Sequence, residues 1–366
     1  MKRRQFVQAV GLAAAGGTTL SRLASALPGA ATRTLPSPQR ARLALDAMGE
    51  IRVTHTRELL REVIASGTRM VTVTLTDPKV FGEAAFDAAA DDLGAYDRHI
   101  RDNADLLLKA TSVADIDRAI DQDRIALFYL LQNSTPIHKD VERIDLFYNL
   151  GLRSLQLTYN YANYVGSGCR ETGDYGLTVF GHEVIERMNE IGMLIDTSHA
   201  KMRTMGEAIR ASKAPTIISH TACQSVWPHV RNTTDDNLRL LAEHGGLVGV
   251  CQIRPFLTDD LSDDNVRHYF DHIDHAVNVA GIEHVCIGSD RDHRVIEDSP
   301  EELAELLAEE GAQLSAADWP LYMPMMNGPR RMEVISAGLA ERGYSDDDID
   351  RIMSGNLYRL YAEVIG

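Results

Sequence analysis

Beyond residue 30, no stretch of this 366-residue chain runs apolar for the ~20 residues that a membrane-spanning helix needs. The mature chain is therefore expected to carry no transmembrane segment. Cysteine is scarce too: Cys169, Cys223, Cys251 and Cys286 form no C-x-x-C pair and show no zinc-ribbon spacing. Three of them lie in or beside strand-like runs and read as buried apolar thiols. An oxidising compartment would permit disulfides, but the spacing does not pair them. Basic residues are outnumbered, 37 Lys and Arg against 53 Asp and Glu, and the formal charge of -16 argues against nucleic acid or an anionic membrane surface as partner. No internal repeat or low-complexity linker divides the chain.

What is present is ample core material, with 44% hydrophobic and 25% charged residues. Residues 1–30 are of a different kind. Lys2-Arg3-Arg4-Gln5-Phe6 precedes a short Ala/Gly-rich apolar stretch and small-residue ends at Ala24-Ser25-Ala26 or Gly29-Ala30. A basic start, a short apolar run and an Ala-x-Ala end make a secretory signal, and the paired arginines resemble a twin-arginine address. The expected location is the periplasm or the exterior.

Eight strand-like runs follow, separated by helical pattern. They are Leu43–Asp46, Met70–Leu75, Ile125–Leu131, Ser154–Thr158, Met193–His199, Pro215–His220, Gly246–Cys251 and His284–Gly288. The segments Thr56 to Ser66, Val113 to Asp121, Gly181 to Ile191 and Thr234 to His244 carry helical spacing, with start signals at Asp115 and Thr234-x-x-Asn237. Eight alternating units call for an α/β fold, a (β/α)8 TIM-type barrel over residues 31–366. Residues 77–112 read as a helical insertion after the second strand, and 300–366 as helices outside the barrel.

In such a barrel, sites are built from groups at the carboxyl ends of the strands. The first strand is followed by Met48 and Glu50, the third by Gln132 and Asn133, and the fourth by Tyr159 and Asn160. The fifth and sixth end in His199 and His220, Arg231-Asn232 follow the sixth, and the eighth ends in Asp290. Two imidazoles and a carboxylate from different strands suit Zn²⁺ with an open position, which lowers the pKa of bound water. Asp290 is then the proton-transfer group and Arg231 a clamp for a substrate carboxylate. The bland alternative is a set of helix caps and satisfied core polars, which one histidine alone would favour. His268, His272 and His275 share a helix face before the last strand and read as solvated or packed. His293, in Arg291-Asp-His293, lies at the mouth and is an alternative ligand.

Asp196-Thr-Ser-His199, Ile218-Ser-His-Thr221, Arg231-Asn232, Gly245-Gly-Leu-Val-Gly249, His272-x-x-His275, Gly288-Ser-Asp290 and Gly355-Asn356 together resemble the membrane (renal-type) dipeptidase family of zinc peptidases, from about residue 42 to the C-terminus. The resemblance implies an amidohydrolase barrel with two bridged zinc ions that cleaves small dipeptides. It implies metal binding by His199 and His220, catalysis by Asp290, and substrate contacts from Arg231 and Asn232. Three positions depart from it: the His-x-Asp pair after the first strand is Met48-Gly49-Glu50, the bridging glutamate is Gln132, and the substrate-binding histidine is Tyr159. The expectation is thus one Zn²⁺ rather than two, on His199 and His220 with help from Asp290, Gln132 or Glu50, acting on a small peptide or amide. The alternatives are a periplasmic tailoring enzyme of a non-ribosomal peptide or siderophore, a lyase or isomerase using the same pocket, and a binding module without chemistry. A homodimer is compatible with the sequence.

Overall fold

The computed structural model describes residues 41–310 and 315–366, so the signal expected over 1–30 lies outside the described residues. Its strands are β1 (Ala44–Asp46), β2 (Thr68–Thr74), β3 (Leu107–Ala110), β4 (Ile125–Leu131), β5 (Leu152–Gln156), β6 (Leu194–Asp196), β7 (Ile217–Thr221), β8 (Leu247–Val250) and β9 (Val285–Ile287). All pair in parallel in the order β1-β2-β4-β5-β6-β7-β8-β9, while β3 pairs β4 off this path. The path nearly closes on itself. The Ala47 amide donates to the Ile287 carbonyl at 2.9 Å, and the Asp290 amide to the Met48 carbonyl at 2.9 Å. This is the expected eight-stranded α/β barrel.

β4, Ile-Ala-Leu-Phe-Tyr-Leu-Leu, is buried at every position. Such a continuous run suits a parallel strand covered on both faces. Helices start where their caps direct. Thr56 accepts from the Leu59 amide, Thr234 accepts from the Asn237 amide, and Ser112 and Asp115 form a reciprocal capping box.

Two segments differ from expectation. Within 77–112, the helix Glu83–Asp102 is followed by the strand β3. Only four residues long and interrupted by Lys109, β3 gives too short a pattern to separate from a helix end. The tail is not wholly outside the barrel either. In the helix Asn356–Val364, Leu357, Leu360 and Tyr361 pack with Leu45, Met70, Phe128, Leu194, Ile217, Leu247 and Cys286, so this helix stops the amino end of the barrel. The Tyr361 hydroxyl meets Thr72 Oγ1 at 2.5 Å, and its ring lies edge-on to Phe128 with centroids 4.8 Å apart.

All four cysteines are buried and free, as buried apolar thiols should be, and burial pushes the Cys223 and Cys251 thiols up to about 12. Among the described residues, no helix is long and apolar enough to cross a membrane.

Candidate active site

A cavity of about 370 Å³ opens at the carboxyl ends of the strands, within the size range of small-molecule sites. Glu50, Gln132, Tyr159, His199, Arg231 and Asp290 all line it. His220 is fully buried beneath it. Asn232 is not on its wall: its amide donates to the Trp227 and Phe256 carbonyls at 2.8 and 2.7 Å, so it holds the Arg231 loop in place.

The backbone carries the mark of this site. Among the described residues only four non-glycine residues have positive φ, and two of them are His199 at 61° and Asp290 at 54°. That region costs an ordinary residue roughly 1–3 kcal/mol and clusters at functional sites. It turns both side chains inward at the ends of β6 and β9. Gly288 permits the approach of β9, because a Cβ there would collide with the Ser219 carbonyl beside His220.

Each imidazole is oriented from behind. His199 Nδ1 lies 2.7 Å from Asn160 Oδ1, an acceptor only, so Nδ1 carries the hydrogen. His220 Nδ1 lies 2.8 Å from Ser219 Oγ. The single Ser219 hydroxyl hydrogen goes to Asp196 Oδ2 at 2.5 Å, so Ser219 accepts from His220 Nδ1–H. Asp196 is held in turn by the Ser198 and Ser219 amides at 2.9 and 3.1 Å. Both Nε2 lone pairs consequently face each other across 3.0 Å. Burial, and then the Arg231 guanidinium, push both imidazoles well below their ordinary range. The Tyr159 ring stacks on His199 with centroids 4.2 Å apart and a tilt of 26°.

Two facing lone pairs repel unless a cation stands between them. Two nitrogen ligands on a tetrahedral zinc stand about 3.3 Å apart, close to the observed gap. The imidazole pair therefore fits one ion. Among the described residues, however, no group of three or more His, Cys, Asp or Glu side chains is gathered as a metal site. A two-ion centre does not fit. Met48 is buried without a donor suited to zinc, position 132 offers a neutral amide, and Glu50 is turned to Arg52, Oε2 to Nε 2.5 Å.

Sequence reasoning passed over the group beside Glu50. Arg52 also reaches Asp292 at 3.4 Å, and His55 Nε2 lies 2.9 Å from the same carboxylate. Burial acts to raise the Asp292 carboxyl, but His55, the Arg294 amide and Arg52 outweigh it and hold it well below the usual carboxylate range. No motif spacing announces this cluster, because β1 and β9 meet only through barrel closure. His293 stays away from the cavity, fully buried with Nε2 3.3 Å from an Arg331 nitrogen. The three histidines that share a helix face before the last strand are packed or paired: His272 between the Cys223 amide and the Leu257 carbonyl, His268 on Asp260 and His275 on Asp235.

Similarity to known proteins follows the same lines. A dipeptidase of Schizosaccharomyces pombe described as uncharacterized is 40% identical over 151 residues, 40% of this chain and 36% of that protein. Dipeptidase verJ of Clonostachys rogersoniana is 31% identical over 219 residues, 59% of this chain and 50% of that protein. The chain thus spans half or less of the length of these curated relatives. The crystal structure of an amidohydrolase from Pseudomonas aeruginosa superposes with a TM-score of 0.76 at 28% identity, covering 89% of this chain and 97% of that one. Across residues 71–309, from within β2 to beyond Asp290, the sequence matches the model of the membrane dipeptidase family, peptidase family M19. With a majority of its length so matched, this chain belongs to the membrane dipeptidase family.

Proposed function

We propose that this protein is an exported hydrolase that cleaves the amide bond of a dipeptide or a similar small substrate, using one zinc ion on His199 and His220. The observation that carries the reading is the pair of Nε2 lone pairs converging at 3.0 Å where His199, on the cavity wall with Arg231 and Asp290, meets the buried His220. Membership in a family of metallopeptidases supports it. The basic, Ala/Gly-rich first thirty residues support export.

When bound, zinc would supply a water of lowered pKa and a Lewis acid for the scissile carbonyl. Arg231 receives the substrate carboxylate. Its Nη2 already donates to the His220 carbonyl at 3.0 Å, which fixes the guanidinium, and its Nε is buried without a partner. Asp290, held at the end of β9, takes the proton of the attacking water and returns it to the leaving amine. Tyr159 stacks on His199 and lines the cavity beside it. Asn160 and Ser219 hold the two imidazole tautomers, as second partners of metal-binding histidines do.

Elemental analysis of the purified protein, with a panel of L,L and L,D dipeptides, tests the reading. The expected result is about one zinc per chain and release of free amino acids. Metal-free protein without turnover would overturn it. A second reading, a tailoring enzyme acting on another small amide, draws on the Glu50–Arg52 pair and on Met48, which leave the β1 side of the pocket unlike a two-zinc site. Zinc content with no dipeptide cleavage would select it.

A further inference from the structure

The cavity holds a second buried guanidinium that, among the described residues, no side chain pairs directly. Arg291 follows Asp290 after β9, lines the cavity and is only 4% exposed. Among the described residues its side chain makes no hydrogen bond and no ion pair, and its Nη2 is buried without a partner. The Tyr322 ring centroid lies 5.8 Å from its Cζ. Three acids act on Arg291 through space without a hydrogen bond or ion pair to its guanidinium: Glu50, engaged by Arg52; Asp292, engaged by His55, Arg52 and Arg294; and the neighbouring Asp290 on the same wall. The deeper Arg331 differs, because its guanidinium donates to the Asp292 and Arg291 carbonyls at 2.9 and 3.1 Å and has the Asp46 charge near it.

Burial, followed by repulsion from Arg331, lowers Arg291 to about 10. It therefore stays charged at neutral pH. Buried charges in folded proteins are normally paired. An unpaired one on the wall of a ligand cavity is completed when the ligand brings the opposite charge. Arg231, the other buried guanidinium of the wall, bonds only a neutral carbonyl through Nη2. The two arginines follow β7 and β9 with β8 between, so their strands lie roughly 10 Å apart. A dipeptide advances about 3.3–3.6 Å per residue. A carboxylate on the side chain of its N-terminal residue can span the remaining distance from its C-terminal carboxylate.

We infer that the substrate is dianionic: an acidic dipeptide, or an N-acyl amino acid of the same length, with its terminal carboxylate on Arg231 and its second carboxylate on Arg291. Arg291 is then the specificity-determining residue. The assignment of each end rests on the hydrolase reading; the demand for a second anion does not.

L-Glu–L-Ala and L-Gln–L-Ala are nearly isosteric and differ by one charge. Their equilibrium binding is measured in the Asp290→Asn background, where turnover is slowed enough for binding to be read first, and their kcat/KM ratio in the otherwise unaltered protein. The expected preference for the glutamyl peptide is at least about tenfold, equivalent to about 1.4 kcal/mol. Arg291→Met brings the ratio to about one. Arg291→Lys keeps the charge and retains part of the preference, which separates loss of charge from loss of fold. Equal binding of the two peptides, or a preference that survives Arg291→Met, would overturn the inference. If no dipeptide is cleaved but the binding preference holds, the hydrolase reading fails and the dianionic site stands.

Discussion

Asp290 is constrained twice, by its backbone at φ 54° and by its place on the cavity wall. Asparagine tolerates that backbone region, whereas a β-branched residue does not. Asp290→Asn is therefore expected to fold like the parent and to lose roughly 10²–10⁴-fold in kcat, the usual worth of a general base. Asp290→Val should lose stability as well. Steady-state kinetics and thermal unfolding of the two variants separate chemistry from strain. His272 makes a different prediction. Its Nδ1 accepts from the Cys223 amide and its Nε2–H faces the Leu257 carbonyl, so protonation would set two donors against each other. Burial lowers its pKa to about 4, even though the Leu257 carbonyl favours the charged form. Against an unfolded value near 6.5, its contribution is fully present above about pH 6.5 and is lost as pH falls towards about 4, by up to about 3 kcal/mol. Unfolding temperature measured from pH 7 to pH 4 should fall less steeply in His272→Gln; equal slopes would exclude the strut role.

At the scale of the elements, β7, β8 and β9 hold the site through close backbone approach. Any side chain at Gly288 must displace the Ser219 carbonyl, next to His220. Gly288→Ala is expected to cost about 1–3 kcal/mol and to lower zinc retention, read by chemical denaturation and metal analysis. The strands themselves were legible in sequence, because β4 and β8 are continuous apolar runs, Ile217-Ile218 opens β7, and the polar groups that end the strands fall at the barrel mouth. His199, Arg231 and Asp290 were legible for the same reason. β3 was not, being four residues with a lysine in the middle. Nor was the Arg52–Asp292–His55 cluster, which requires strands at opposite ends of the barrel sequence to meet. Arg291 stood in plain view beside Asp290, but only burial reveals that it lacks a partner.

Taken as a whole, the molecule is a barrel with a chemical end and a stoppered end. Tyr361 fills the stoppered end with a ring and a hydroxyl that meets Thr72. Tyr361→Ala should cost about 3–5 kcal/mol, the range for large aromatic truncations in a core, while leaving the geometry around His199 in place. Denaturant midpoints should drop, with zinc content retained under native conditions.

That stopper also sets an order of events during synthesis. The inner layer of the barrel gains its final apolar partners only when residues 356–364 have been made, after every strand is complete. A nascent chain lacking them would hold eight strands around an unfilled end, exposed to premature association. Folding is thus expected to finish late and cooperatively, as a single refolding transition in which barrel closure and docking of the last helix are reported together by Tyr361 and by the strands.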